Sequence, residues 1–575
     1  AAEAQPLQQM PVLPGSGGGS YGDAARQNGA GRGGGAVRIQ ATGTVTIDGT
    51  ISARGQDAVN DLSAGGAGGS IYINCKTFGG AATGLIRVDG GNSTAAALSG
   101  GGGGGRIAVN YESVSVTHAA RFSAAPASQC WAYGDPANRW HDMPMPGTLW
   151  LPDTQLLSTT LDNTLFAGAV NIVGINSWTP ATLLVSNCWV SFGQTGMVLK
   201  TTGNIQVNAG GSLGIGSASA GSNYAMHCGG GLTLTNGGQL YAFSGRTNAA
   251  GSSYGVFVGV TNAMVVAPGS WVHPVSHWTN GGSAFFKVGS LVVETNAGFN
   301  AAGKGYRGTA GPGSRGTVAV IYNSGASHGG RGGSYPYSGN SGWAAATYGS
   351  VTQPIMPGSG GASYPSGHEG NGGHGGGVIR LDVAGTATIR GILNANGAKS
   401  HIVYGGGGAG GSVYLKCNTF GGTTNGMIMA DGGNPFDNVS SGAGGGGRLA
   451  VDYQSLGTPS AVRFSTRPGN IEWANDGSND RWPYHARWGT LWLPNTALLS
   501  GTLKDQQFRQ VHVFGITAWG IDNLTVSNCA LTFAQNQCVI TVTNNLCVVT
   551  NGIFGLGSYS RGTNYTMRCG GSVIL

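Results

Sequence analysis

The segment Gly147-Thr148-Leu149-Trp150-Leu151-Pro152 returns unchanged as Gly489-Thr490-Leu491-Trp492-Leu493-Pro494, 342 residues later. At the same offset Ile107-Ala108-Val109 meets Leu449-Ala450-Val451, Tyr111 meets Tyr453, Cys75 meets Cys417, and Asp89-Gly90-Gly91-Asn92 meets Asp431-Gly432-Gly433-Asn434. Further on the offset falls to 341, where Val185-Ser186-Asn187-Cys188 matches Val526-Ser527-Asn528-Cys529 and Cys228 matches Cys569. Such a chain folds by stacking like on like, and a drift of one residue is what preserved rungs with adjustable connections produce. Pro14-Gly15-Ser16-Gly17 aligns with Pro357-Gly358-Ser359-Gly360, so the chain opens within a repeat, and it stops within another after Cys569-Gly570-Gly571. The expected organisation is a first copy over 1–343 and an incomplete second over 344–575, a window of a longer array with neither signal peptide nor terminal cap inside it.

Within each copy apolar residues alternate in short runs, as in Thr44-Val45-Thr46-Ile47, Ser70-Ile71-Tyr72-Ile73, Arg106-Ile107-Ala108-Val109 and Asn204-Ile205-Gln206-Val207. Period two means strands with one buried face, so Ile107, Val109, Ile205 and Val207 are expected to point inward. Corners such as Asn236-Gly237-Gly238 admit positive φ and let the chain turn sharply. No segment carries a sustained 3.6-residue apolar period, which argues against crossover helices. The expected fold is all-β: a right-handed parallel β-helix-like solenoid built from the ~342-residue tandem repeats, with a string of antiparallel β-sandwiches as the alternative. The two copies are expected to superimpose. Glycine-dense stretches near 15–35, 303–343 and 358–377 read as loop-rich junctions, and aromatic-rich stretches at 130–152 and 472–494 as junctions between solenoid sections.

Glycine supplies 110 of the 575 residues, well over twice its usual share of about 7%, while Lys, Arg, Asp and Glu together make up only 9%. These glycines come in runs, not at every third position, and proline totals 21, which excludes collagen. A net charge of +7 is thinly spread, so nucleic acid is not an expected partner. No apolar stretch approaches about 18 residues, so no transmembrane segment is expected. The low charge and the abundance of Ser, Thr, Asn and Gly suggest an extracellular or cell-surface location.

Gly100 through Gly105 precede Arg106-Ile107-Ala108-Val109, and Gly444 through Gly447 precede Arg448-Leu449-Ala450-Val451. In this glycine-run-then-strand motif the chain resembles the very large, glycine-rich repeat proteins of bacterial cell surfaces, whose parallel β-helices form adhesins, stalks and filaments. The resemblance covers most of the chain, and no catalytic or metal signature travels with it. It implies a structural or adhesive role.

Several motifs touch on chemistry. Gly298-Phe299-Asn300-Ala301-Ala302-Gly303-Lys304-Gly305 approaches a phosphate-binding loop, but lacks the Ser or Thr that holds magnesium and a helix to follow, so it reads as a glycine-rich surface loop. His368-Glu369 and His374 are spaced by six and set among glycines, unlike a helical zinc site. Asp476, Ser478 and Asp480 are spaced like the opening of a calcium loop, yet no bidentate Glu follows; a solvated turn is the preferred reading. Trp131, Tyr133, Arg139 and Trp140 are echoed by Trp473, Arg481, Trp482 and Tyr484. Trp131, Trp140, Trp473 and Trp482 are candidate sugar contacts, although an aromatic cluster recurring at one place in a repeat more economically packs a junction. A β-helical polysaccharide lyase or glycosidase would need carboxylates retained in both copies. Asp89 and Asp431 are retained, but in Asp-Gly-Gly-Asn turns suited to backbone bonding.

Nine cysteines leave at least one without an intramolecular partner. Cys188 and Cys228 lie 40 residues apart, as do Cys529 and Cys569, so each pair either staples adjacent turns in an oxidising compartment or stacks as buried thiols. Cys130 has Glu472 as its counterpart. No cofactor is called for. The expected function is a rigid extracellular fibre, stalk or filament that continues head-to-tail and carries an adhesive capacity; a carbohydrate-binding surface module and a polysaccharide-cleaving enzyme are the alternatives.

Overall fold

The computed structural model describes residues 9–19, 29–59, 63–93, 100–128, 145–217, 221–246, 254–315, 324–334, 344–363, 372–400, 405–436, 441–470, 485–557 and 564–575. Every element named among them is a β-strand. The chain packs as two compact units, Ala1–Gly245 and Arg246–Leu575, a division that falls inside the first sequence copy and not between the copies.

In the first unit one ladder runs through Ala36–Gln40, Ser70–Asn74, Arg106–Asn110, Thr148–Trp150, Ala169–Val173, Trp189–Phe192, Ser212–Gly216 and Gln239–Phe243, all parallel. Between its members the chain visits two further parallel ladders, so each strand lies beside roughly the third strand after it; Thr44–Thr46 pairs with Thr77–Gly79, and Thr50–Ser52 with Leu85–Arg87. Short runs produce this arrangement because three to five residues of alternating pattern bury one face and then meet a corner. Asn187, Ala209 and Asn236 take φ of 51°, 48° and 49° at such corners. Parallel pairing needs a long return path, and the rest of the turn supplies it.

The second unit uses the same scheme with a variation. Val378–Ile389, Ser412–Gly422 and Arg448–Ser460 are long strands that bend at register shifts, each covering what the first copy divides into two strands. Every described pairing is parallel, which removes the antiparallel sandwiches. Ile107, Val109, Ile205 and Val207 are fully buried, as the alternation predicts.

Spacings along the first ladder show how closely the copies agree. From Ala36 the steps are 34, 36, 42 and 23 residues to Ser70, Arg106, Thr148 and Asn171. From Val378 they are 34, 36, 42 and 22, to Ser412, Arg448, Thr490 and His512. The missing residue lies between Phe508 and Val511, where Arg509-Gln510 replace Ala167-Gly168-Ala169 and Gln510 takes a φ of 56°. The change of sequence offset from 342 to 341 is therefore one β-irregularity at one corner.

Several glycine-dense stretches of the second unit are packed segments, whereas 15–19 are half-buried to exposed. Residues 405–415 are all buried, as are 372–379 and 441–451. In Gly65-Gly66-Ala67-Gly68-Gly69 successive N–H groups point to different neighbours. Gly65 and Gly68 donate to Gly100 and Gly103, Gly66 and Gly69 to Gln56 and Ala53, and Ala67 to Ser16. Gly407 and Gly410 donate to Gly442 and Gly445, Gly408 and Gly411 to Ala398 and Ala395, and Ala409 to Ser359. Directions that repeat every third residue, with no bond inside the segment, describe an extended threefold helix of the polyproline II type. Each segment is tied to several others, so buried backbone that would otherwise be orphaned is satisfied. Glycine is needed because the segments nearly touch: a Cβ built on Gly66, Gly68, Gly69, Gly408, Gly410 or Gly411 would come within 3.0 Å of a neighbouring backbone carbonyl oxygen. Ala67 and Ala409 occupy the one position of the motif that has room.

Candidate functional site

Trp131, Trp140, Trp473 and Trp482, with Cys130 and the calcium candidates Asp476, Ser478 and Asp480, lie outside the described residues, as do His368 and Glu369. His374 is buried within the glycine bundle. Lys304 is buried, where the sequence suggests a surface loop. Its Nζ donates to the Asn300 carbonyl at 2.8 Å, and burial lowers the ammonium pKa to about 7. Gly305 is hydrogen-bonded to Gly375, so this segment is part of the packed bundle.

Both retained aspartates act as ties between rungs. Asp89 Oδ1 accepts the Ser123 hydroxyl and, at 2.9 Å, the N–H of Ala125, while Oδ2 lies 2.9 Å from Arg87. Asp431 Oδ1 accepts Ser465 Oγ at 2.6 Å and Arg467 N at 2.8 Å, and Oδ2 accepts Arg467 Nε and Nη2 at 3.0 and 2.9 Å. Backbone bonding was legible in the Asp-Gly-Gly-Asn motif, but the bonds reach the following rung. The cationic partner changes place: Met429 stands where Arg87 was, and Arg467 arrives from the next rung where the first copy has Ala125. Asn92 and Asn434 perform the same task, accepting the N–H of Ser128 and Asn470 at 3.0 and 2.7 Å.

The eight described cysteines are thiols. Cys228 stacks on Thr201 in one ladder, whereas Cys188 sits at the corner before Trp189 in another, so the 40-residue interval does not put the two across a single pairing. Cys569 and Cys529 are placed in the same way. Cys188 Sγ donates to the Leu161 carbonyl at 3.4 Å and Cys228 Sγ to that of Gly231 at 3.3 Å. Burial pushes Cys188 and Cys417 up to about 12, with Asp162 and Asp452 adding to the effect. Native protein treated with iodoacetamide at pH 8 is therefore expected to leave Cys188 and Cys417 unmodified while half-exposed Cys547 and Cys569 react. Peptide mapping after unfolding should recover the first two as thiols; a disulfide at Cys188 would refute this assignment.

A row on the first ladder, on the face opposite Ile107 and Val109, emerges from the register. Arg38, Tyr72, Ala108, Trp150 and Val173 stand side by side in the first unit. Arg380, Tyr414, Ala450, Trp492 and Phe514 do so in the second, preceded there by Phe257 and Phe285. Arg380 lies 4.1 Å from the Phe285 ring centroid, and Tyr254, Phe257 and Phe285 are mutually in contact at 5.7–5.8 Å. The next outward row of the second unit alternates in sign, Lys287, Asp382, Lys416 and Asp452, where the first copy has Gln40, Asn74 and Asn110. Tyr72 and Tyr414 are buried, while Trp150, Trp492, Phe257 and Phe285 are half-buried, and half-buried rings beside a guanidinium present flat apolar faces with adjacent hydrogen-bond donors. Sequence reading missed the row because its members are 34 to 42 residues apart; the only signal was that Arg38, Tyr72 and Trp150 each recur at the common offset.

Among the described residues no group of three His, Cys, Asp or Glu is placed to hold a metal ion, and no helix is long and apolar enough to cross a membrane. Compared with protein-family models, curated proteins and solved structures, the chain matches none of them.

Proposed function

We propose that this chain is a section of a right-handed parallel β-helix whose function is length: a stiff extracellular fibre, stalk or filament at a bacterial surface. The observation that carries this reading is the parallel ladder whose rung spacings recur between copies, 34, 36 and 42 residues in both. Selection for an enzyme would preserve a reactive group, whereas here the retained aspartates are occupied by hydrogen bonds from the next rung. Strand-crossover chirality supports the right hand. Head-to-tail association belongs to the same reading, because parallel ladders grow by adding strand to strand.

The aromatic row favours a second capacity on the same scaffold, adhesion to carbohydrate through ring faces. Electron microscopy with fibre diffraction tests the main reading. Rods with an axial spacing of about 4.8 Å are expected, since strands would stack along the axis; compact particles without that spacing would refute it.

A further inference from the structure

One face of the second unit gathers three arginines, with Asp431 as the carboxylate beside them among the described residues. Strand Arg463–Ser465 turns Phe464 inward and leaves Arg463 half-buried on the opposite face, where Ser465 is itself covered. Two residues on, Arg467 is held in a fork by Asp431. On the following rung Arg509 is the ladder partner of Ser465 and so stands between the other two arginines. Of the three guanidinium groups, that of Arg467 is bonded to Asp431 Oδ2, and Arg509 lies within the influence of the same carboxylate.

Among the described residues no hydrogen bond or ion pair engages the guanidinium of Arg463 or Arg509, and Arg463 Nε is buried without an acceptor. Burial, Arg467 and Arg463 all act to lower the Arg509 pKa, with Asp431 opposing them. Gathering like charges in this way is unfavourable unless an anion completes the group.

The first copy lacks the arrangement. Arg121 corresponds to Arg463, but Ala125 stands for Arg467. Gly168 lies at the corner that Arg509-Gln510 rebuild, and a Cβ on it would collide with the Ser123 hydroxyl. Arg509 takes the ladder place that Ala167 holds in the first copy, and the one-residue shortening follows it at Gln510, as β-irregularities commonly re-aim a residue beside a site.

We propose that Arg463, Arg467 and Arg509 form an oxyanion site for an acidic polysaccharide, held by its carboxylate or sulfate-ester groups. Arginine's planar fork matches both groups. The Arg467 side chain is 42% exposed, and there a lone small anion would be screened and weakly held, whereas a polymer engages it repeatedly. Half-buried Asn394 and Met429 precede Ser465 and Arg509 in the same row, offering an amide and an apolar surface to a linear chain of sugars. Duplex nucleic acid fits less well, because three arginines over two rungs are not a phosphate-tracking stripe.

The test titrates the full chain with polygalacturonate, dextran sulfate, neutral dextran, polyglutamate and duplex DNA. Binding of one or both acidic polysaccharides is expected, weakening as salt is raised, and the polymer that binds identifies the oxyanion. The double variant Arg463→Gln/Arg509→Gln should lower affinity by about tenfold or more with thermal unfolding unchanged, whereas Arg121→Gln should leave it intact. Failure of both acidic polysaccharides to bind, equal binding of neutral dextran, polyglutamate or DNA, or indifference to the double variant would overturn the proposal. If the double variant unfolds, Arg509→Lys replaces it: it keeps the charge and loses the fork, and unchanged affinity would again overturn the assignment.

Discussion

Replacing Gly410 or Gly411 with alanine is expected to cost the second unit about 3 kcal/mol each, the upper part of the range for overpacking a close-packed interior. The added Cβ atoms would meet the backbone carbonyl oxygens of Ala430 and Gly377, which cannot swing aside as a flexible side chain would. Relief would require two hydrogen-bonded segments to separate, breaking Gly410 N–H to Gly445 and Gly411 N–H to Ala395. The double variant is expected not to fold. Two controls separate packing from glycine's conformational freedom. Gly520→Ala, where nothing lies within 4 Å, should be neutral or mildly stabilising. Ala409→Gly should cost at most about 1 kcal/mol, because it removes no backbone bond. Thermal unfolding of the four variants decides the matter, and a Gly410→Ala protein as stable as Gly520→Ala would contradict a close-packed bundle.

Acid should destabilise the second unit well before its carboxylates titrate. His328 is fully buried, and its Nδ1 lies 2.8 Å from the Gly410 carbonyl. Arg448 donates to the carbonyls of Tyr348 and His328, adding positive charge beside the ring, and Tyr348 packs against it at 4.7 Å. Burial, with Arg448, lowers the His328 pKa to about 3. Burial, with Arg487, lowers that of His512 to about 4, and His273 is likewise held low by burial with Lys304. The unfolded chain binds these protons near pH 6.5 and the folded one does not. Stability is therefore fully present above about pH 6.5 and is lost progressively as pH falls toward the folded values. For His328 and His512 together the loss by pH 4 is on the order of 5 kcal/mol, or a fall in Tm of about 10 °C. Lys304 is protonated in both states over most of this window and adds little to the slope. Calorimetry at pH 7, 5.5 and 4 should show the decline, and His328→Gln/His512→Gln should flatten it. A parent profile already flat from pH 7 to 4 would refute the assignment.

The alternation of Ile107 and Val109, or Ile205 and Val207, was enough to predict strands with one buried face, because period two can bury no other geometry. The repeat was enough to predict that the copies share a plan, since Ser70 and Ser412 or Arg106 and Arg448 could not otherwise fall at one offset. The cysteines were less legible. A 40-residue interval specifies how far apart along the chain two thiols lie, but which ladder each joins depends on how many corners intervene.

The glycine runs mark the clearest division between the two levels. By themselves Gly65 through Gly69 and Gly405 through Gly411 specify only backbone free of side chains, which suits a surface loop as well as a packed segment. Tertiary structure alone brought them together, because their hydrogen bonds go to segments such as 53–56, 100–103 and 442–445 and none closes within the run. The same holds for Arg463, Arg467 and Arg509, whose common face was set by ladder register and by one residue fewer at a corner. Sequence determined the strands, the absence of crossover helices among the described residues and the repeat, all consequences of local periodicity. Which side chains share a surface was decided by the folded chain, because in a parallel ladder neighbours in space are separated by a whole turn of sequence.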